Sequence, residues 1–200
     1  MLDDLDKAPD IVKPSKYWIA LNTRNLADIE RHGVENFKRT VVKNYFTWMQ
    51  IWPWDPQIRF LLGNLTPWSI VSAIAGTVIP PKHQHIPLLE GVALKFLTRL
   101  IWAYAKSEAP AELESVEEPA IGNPPDIKSG GRLISQDLAN SILEYRSIRE
   151  ASAFGPIATV CELGGGYGRN AYAYMSLAAP DRYIMVDIPP ALTIAQTYSG

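Results

Sequence analysis

Between Thr159 and Met175 the chain reads TVCELGGGYGRNAYAYM, with glycine at 164, 165, 166 and 168 around Tyr167. An apolar run precedes the glycines and a helix-like run follows. In a strand–turn–helix setting, the missing side chains let a ligand come close to the backbone. The helix that follows adds unpaired N–H groups at its start. Asp187 ends a second apolar run, RYIMVD. It stands about 20 residues past the turn, where a carboxylate can accept both hydroxyls of a ribose. The glycines alone would mark only a tight turn. With a strand before them, a helix after them and an acid at this spacing, they point to an adenosine-containing cofactor.

Two glycine frames run through GGGYGRNA. Gly164, Gly166 and Gly168 make G-x-G-x-G, whereas Gly166, Gly168 and Ala171 make the G-x-G-x-x-A acceptable for a dinucleotide. Glu162, at the tip of the strand, separates them. A carboxylate there opposes a pyrophosphate but suits an ammonium and a sulfonium, the charges of S-adenosyl-L-methionine. Arg169 pulls the other way: it favours an anion, or pairs with the methionyl carboxylate.

Other reactive side chains carry less. His83 and His85 in PPKHQHIP share a side if extended and so could join a metal site, but with no acid in view a solvated loop is the better reading. His32 before Gly33 reads as a helix-end residue beside the negative dipole. Cys161 reads as a small core residue of the first strand. Trp48, Trp52, Trp54 and Trp68 cluster in sequence; they could stack on sugars, but core and interface packing explains them more simply. Gln136 and Asn140, one turn apart, either reach the cofactor cleft or form a solvated helix face.

The elements that must position these groups follow from periodicity. From Ser15 the chain is mostly helical, with Leu26, Ile29, Val34, Phe37, Val41 and Phe46 at helical intervals and Gly33 as a break. Two prolines in WPWDPQ stop that region. IPLLEGVALKFLTRLIWAYAKSEA is the clearest helix, with one stripe from Leu89 through Val92, Ala93, Phe96, Leu97, Leu100 and Ile101 to Tyr104. A segment rich in proline, glycine and acids follows. SQDLANSILEYRSIREA is a helix with Ser135 as its N-cap, Asp137 at the positive end of its dipole, and Leu138, Ile142, Tyr145 and Ile148 on one face.

Strand, helix, strand and helix then succeed one another to residue 200: the start of a doubly wound parallel α/β sheet, Rossmann-like in its cofactor turn. The expected organisation is a disordered amino terminus over 1–14, a helical domain over 15–107, a linker over 108–131 and the front of a cofactor-binding domain over 132–200. Two strands are too few for a stable sheet of this type, and parallel sheets need both faces covered. The expectation is therefore that these residues are the front part of a longer protein.

Composition narrows the partners. The formal net charge of -2, with no basic tail, gives no field for nucleic acid or an anionic membrane. The single cysteine excludes an internal disulfide and a cysteine-rich metal site, and suits a reducing cytoplasm. The amino terminus lacks a signal-peptide pattern. The longest apolar run, between Pro67 and Pro80, falls short of the roughly 20 residues of a membrane-spanning helix.

VCELGGGYGRNAYAYM followed by YIMVDIPPALTIAQTY resembles the cofactor half of class I methyltransferases, in particular the bacterial sugar O-methyltransferase family. GVENFKRTVVKNYF and GGRLISQDLANSILEY are similar to that family as well. The resemblance implies S-adenosyl-L-methionine held by Glu162 and the glycine turn, Gly164, Gly165, Gly166, Tyr167 and Gly168. It implies Asp187 on the adenosine ribose, Ile188 against the adenine, and a sugar hydroxyl as acceptor. A base or metal would help deprotonate such a hydroxyl, but no catalytic residue is assigned. The competing readings are a nicotinamide-dependent oxidoreductase using the second glycine frame, and a helical interaction module on a degenerate fold. Glu162 counts against the former. The intact set of Glu162, glycines and Asp187 counts against the latter.

Overall fold

The computed structural model describes residues 7–41, 56–77, 88–152, 155–189 and 191–199. It is a mixed α/β structure, mostly helical, with two small two-stranded sheets. Phe46, Trp48, Trp52, Trp54, His83 and His85 lie outside the described residues.

A short 3-10 turn, Asp10–Val12, falls within the stretch expected to be disordered. Helix α1 (Lys16–His32) starts at Ser15 and stops at Gly33, whose φ of 78° is costly for other residues. A 3-10 turn leads to the single helical turn α2 (Phe37–Thr40). Helices α3 (Pro56–Asn64) and α4 (Pro67–Ala75) follow. No single described helix is long and apolar enough to cross a membrane. Only α3 and α4 together reach that length and composition, and they are bent by 117°.

Helix α5 (Leu88–Glu108) is the central strut, and packs against α3, α4, α6 (Pro110–Ser115) and α7 (Gln136–Ser152). Its buried face is Leu94, Leu97, Leu100, Ile101 and Ala105, extended by Trp102. Of the expected stripe, Leu89 is exposed, so the buried surface begins a turn later. Leu138, Ala139 and Ile142 of α7 close the same core. Ser135 caps α7 as the sequence predicts: its Oγ accepts from the Leu138 N–H at 3.0 Å. Ile148, assigned to the apolar face, is half exposed.

The stretch expected as a linker, 108–131, is built into the body. It carries α6 and the strand β1 (Lys128–Ser129), paired antiparallel with β2 (Arg132–Leu133). Val116 and Ile127 belong to the main core. Its prolines and glycines shape a crossing chain whose apolar residues face inward. Gly122, with φ 80°, shows why: a side chain there would overlap the buried ring of Phe37.

Strands β3 (Thr159–Leu163) and β4 (Arg182–Val186) pair in parallel, with Cys161 opposite Ile184 and Leu163 opposite Val186. Helix α8 (Arg169–Leu177) connects them, and α9 (Ala191–Ser199) follows β4. Val160, Glu162, Tyr183 and Met185 are half-buried, and the rings of Tyr174 on α8 and Tyr183 lie 6.0 Å apart. Alternate residues point the other way: Cys161, Ile184, Val186 and Leu163, the last 86% exposed. Cys161 is thus a strand residue, as expected, but an exposed one and not a core residue.

Candidate functional site

The carboxyl ends of β3 and β4 meet at the glycine turn. Gly164 N donates to Val186 O at 2.7 Å, so the turn leaves the sheet beside the end of β4. Gly164, Gly166 and Gly168 all have positive φ, of 79°, 58° and 92°. Gly165 does not, but a side chain there would run into Met185 and Glu162. The run of glycines is therefore needed twice over, for left-handed backbone and for close packing. Gly168 caps α8, and Tyr172 N returns to Gly168 O at 3.0 Å.

Asp187 sits directly against this turn. Its Oδ2 accepts from the Gly166 N–H at 2.5 Å and its Oδ1 from the Ile188 N–H at 2.6 Å. The acid and the glycines that the sequence pairs at long range thus meet. Asp187 and Ile188 are half-buried.

Glu162 lies beneath the turn. Oε1 accepts from Asn170 Nδ2 at 3.0 Å and Oε2 from the Tyr183 hydroxyl at 2.8 Å. Burial and this carboxylate push the Tyr183 hydroxyl well above its usual pKa, so it stays a donor. Each Glu162 oxygen keeps further lone-pair capacity.

Tyr167 turns its side chain into the interior. The ring is buried against Phe37, 5.1 Å between centroids, and Tyr198, 5.2 Å. Its hydroxyl is hydrogen-bonded to Asp137. Only its backbone belongs to the turn's outer surface. Burial, then the neighbouring Glu118, pushes the Asp137 carboxyl up to about 6, against the opposing pull of Arg169, Tyr167 and Lys38. Burial and Asp137 raise the Tyr167 hydroxyl far above its usual range. The dipole of α7 alone, which is how the sequence accounts for Asp137, misses this buried partnership.

Arg169 also faces inward. Nη2 pairs with Glu144 at 2.8 Å, and Nη1 donates to Ser141 Oγ at 3.0 Å. Burial opposes its charge, but Glu144, Asp137 and Tyr167 together outweigh it and the pKa is raised. Its guanidinium is thus taken up by Glu144 and Ser141 of α7. Gln136 is buried and Asn140 half-buried, so they do not form a solvated face.

The amino-terminal segment reaches the same end. Lys38 of α2 pairs with Glu118, both side chains almost fully buried, and lies 4.8 Å from the Tyr198 ring centre. Ser135 Oγ donates to the other Glu118 oxygen at 2.5 Å. Asn22 of α1 donates to Pro189 O at 2.9 Å, next to Ile188. These contacts join residues far apart in sequence, and no local pattern announces them.

Two hollows lie away from the turn. One, of about 400 Å³, runs beside β3 and is lined by Ile157, Val160, Cys161 and Tyr174. The other, of about 340 Å³, lies between α4 and α5 and includes the exposed Trp68. Among the described residues, no group of three His, Cys, Asp or Glu side chains is placed to hold a metal ion.

No protein-family model matches the chain, and neither a curated protein nor a solved structure matches it.

Proposed function

We propose that the β3–β4 end binds S-adenosyl-L-methionine and that the chain is the cofactor-binding part of a methyltransferase, with a Rossmann-like sheet beginning at β3. The observation that carries this reading is the contact between Asp187 and Gly166, which brings a ribose-binding carboxylate and a side-chain-free turn to one point. Asp187 accepts the ribose hydroxyls, exchanging the Gly166 N–H for them. Gly164, Gly166 and the first turn of α8 offer backbone close to the ligand. Glu162, clamped by Asn170 and Tyr183, presents fixed negative charge below the turn and receives the ammonium. Ile188 lines the adenine side.

Charge separates this reading from a dinucleotide. The nearest candidate for holding a pyrophosphate, Arg169, is committed to Glu144 and Ser141. What remains at the turn is the acid pair Glu162 and Asp187, which suits a cationic ligand. The second reading keeps one supporting fact: Ala171 is buried, as a G-x-G-x-x-A frame requires. When bound, the cofactor supplies an electrophilic methyl group. The chain's part is to hold and orient it, and orientation is the larger share of such catalysis. The resemblance to sugar O-methyltransferases makes a sugar hydroxyl the proposed acceptor, and the single cysteine makes a reducing cytoplasm the proposed location.

Calorimetric titration with S-adenosyl-L-methionine and, separately, with NADH tests the reading. Selective binding of the former is expected. Selective binding of NADH would overturn it and make hydride transfer the leading activity.

A further inference from the structure

The turn that carries Asp187 is short, yet it is tied to the opposite end of the sequence. Asn22 Nδ2 donates to the carbonyl of Pro189 at 2.9 Å, across 167 residues. Asn22 is only 8% exposed and Pro189 is buried, so the amide is desolvated to make this bond. A buried amide left without its bond is penalised more than the bond itself is worth, so the contact holds the turn firmly. Proline has no N–H, which leaves its carbonyl as the backbone handle at that position.

The carboxylate depends on the same turn. Asp187 Oδ1 accepts from Ile188 N, one residue before Pro189, while Oδ2 reaches Gly166. The Ile188 N–H and the Pro189 carbonyl stand two peptide units apart, so a shift of Pro189 displaces the N–H that holds Asp187 Oδ1 and with it the direction of the carboxylate. The amino-terminal segment also reaches the glycine turn: Phe37 packs against Tyr167 at a tilt and edge-on against Tyr198 of α9. Residues 16–41 thus touch both loops between which the ligand is held.

We propose that Asn22 is a positioning residue for Asp187, and that helix α1 is part of the cofactor site. The proposal rests on the cofactor reading given above. Asn22 touches neither ribose nor methyl group; it acts through Pro189 on the direction of the Asp187 carboxylate. The ligand feature it governs is ribose recognition.

The test compares S-adenosylhomocysteine with its 2′,3′-dideoxy analogue, which lacks both hydroxyls Asp187 accepts, by calorimetry on the whole chain. Wild type should prefer the ribose form by about 100-fold, the value of two hydrogen bonds to a charged group. Asn22→Asp keeps the size and loses the donor. It should weaken S-adenosylhomocysteine by about tenfold and leave the 2′,3′-dideoxy analogue within about twofold, so that the preference shrinks by the same factor. Should that variant not fold, as judged by circular dichroism, Asn22→Ala removes the donor without adding charge and is read in the same way. Equal weakening of both ligands, with the preference kept, or no weakening at all, would overturn the positioning role. Failure of the wild type to bind S-adenosylhomocysteine would instead overturn the cofactor reading, and this proposal with it.

Discussion

Asp137→Asn should stabilise the folded chain at neutral pH. The wild-type carboxyl is buried between Tyr167, Glu118, Lys38 and Arg169, and its pKa rises from an ordinary 3.8 to about 6. A raised carboxyl pKa means that the folded state binds the proton more tightly than the unfolded chain does. The contribution of Asp137 to stability is then fully present below pH 3.8. It declines as pH rises towards 6 and is lost above that. At about 1.4 kcal/mol per pKa unit, the difference amounts to about 3 kcal/mol at pH 7. Asparagine has nearly the same shape, carries no charge, and can still accept the Tyr167 hydroxyl through Oδ1. Urea unfolding of both proteins at pH 4, 5, 6 and 7 measures the effect. Their curves should nearly coincide at pH 4 and separate steadily to pH 6, with the variant the more stable and m unchanged. A constant gap across this range, or a variant less stable at pH 7, would refute the burial argument for Asp137.

The other consequences are local. Lys38→Met leaves Glu118 buried without its cation, held by the Ser135 hydroxyl, and should cost about 3–5 kcal/mol; adding Glu118→Gln should recover most of the loss in the same unfolding assay. Ser135→Ala removes both the cap of α7, worth about 1 kcal/mol, and a hydrogen bond to buried Glu118, worth about 1.5–3 kcal/mol, and should lower the urea midpoint by the sum of the two. Leu163→Ser, on the open face of β3, should change stability by less than about 0.5 kcal/mol; a loss of several times that would show the face to be packed. Asp187→Ala should keep the fold but weaken S-adenosyl-L-methionine by roughly 10- to 100-fold, the worth of one or two charged hydrogen bonds, by calorimetry.

Much of the geometry at the carboxyl ends of β3 and β4 was legible in the chain order. A strand, a glycine run, a helix and a second strand ending in Asp187 can be read locally, because each signal is a short-range pattern of apolar period and turn residue. The same holds for Ser135, whose capping depends only on the residues after it. What was hidden depends on partners far along the chain. Arg169 looks like an anion binder until Glu144 is known to lie beside it. Tyr167 looks like a cleft residue until Phe37, Asp137 and Tyr198 are seen to enclose it. The 108–131 segment has the composition of a linker, yet Glu118, Val116 and Ile127 are buried, since proline and glycine set the path of a chain and not its exposure. Cys161 fails in the opposite direction: an apolar strand implies two covered faces, and among the described residues only one is.

The central claim is that an adenosylated ligand sits between the glycine turn and Asp187. The most direct measurement is the set of amide resonances in a nitrogen-15 correlation spectrum during titration with S-adenosylhomocysteine. Gly166 and Ile188, whose N–H groups now donate to Asp187, should shift first and furthest, with Gly164 and Gly168 close behind. No shift at saturating ligand, or shifts confined to the hollows at Trp68 or beside β3, would contradict it.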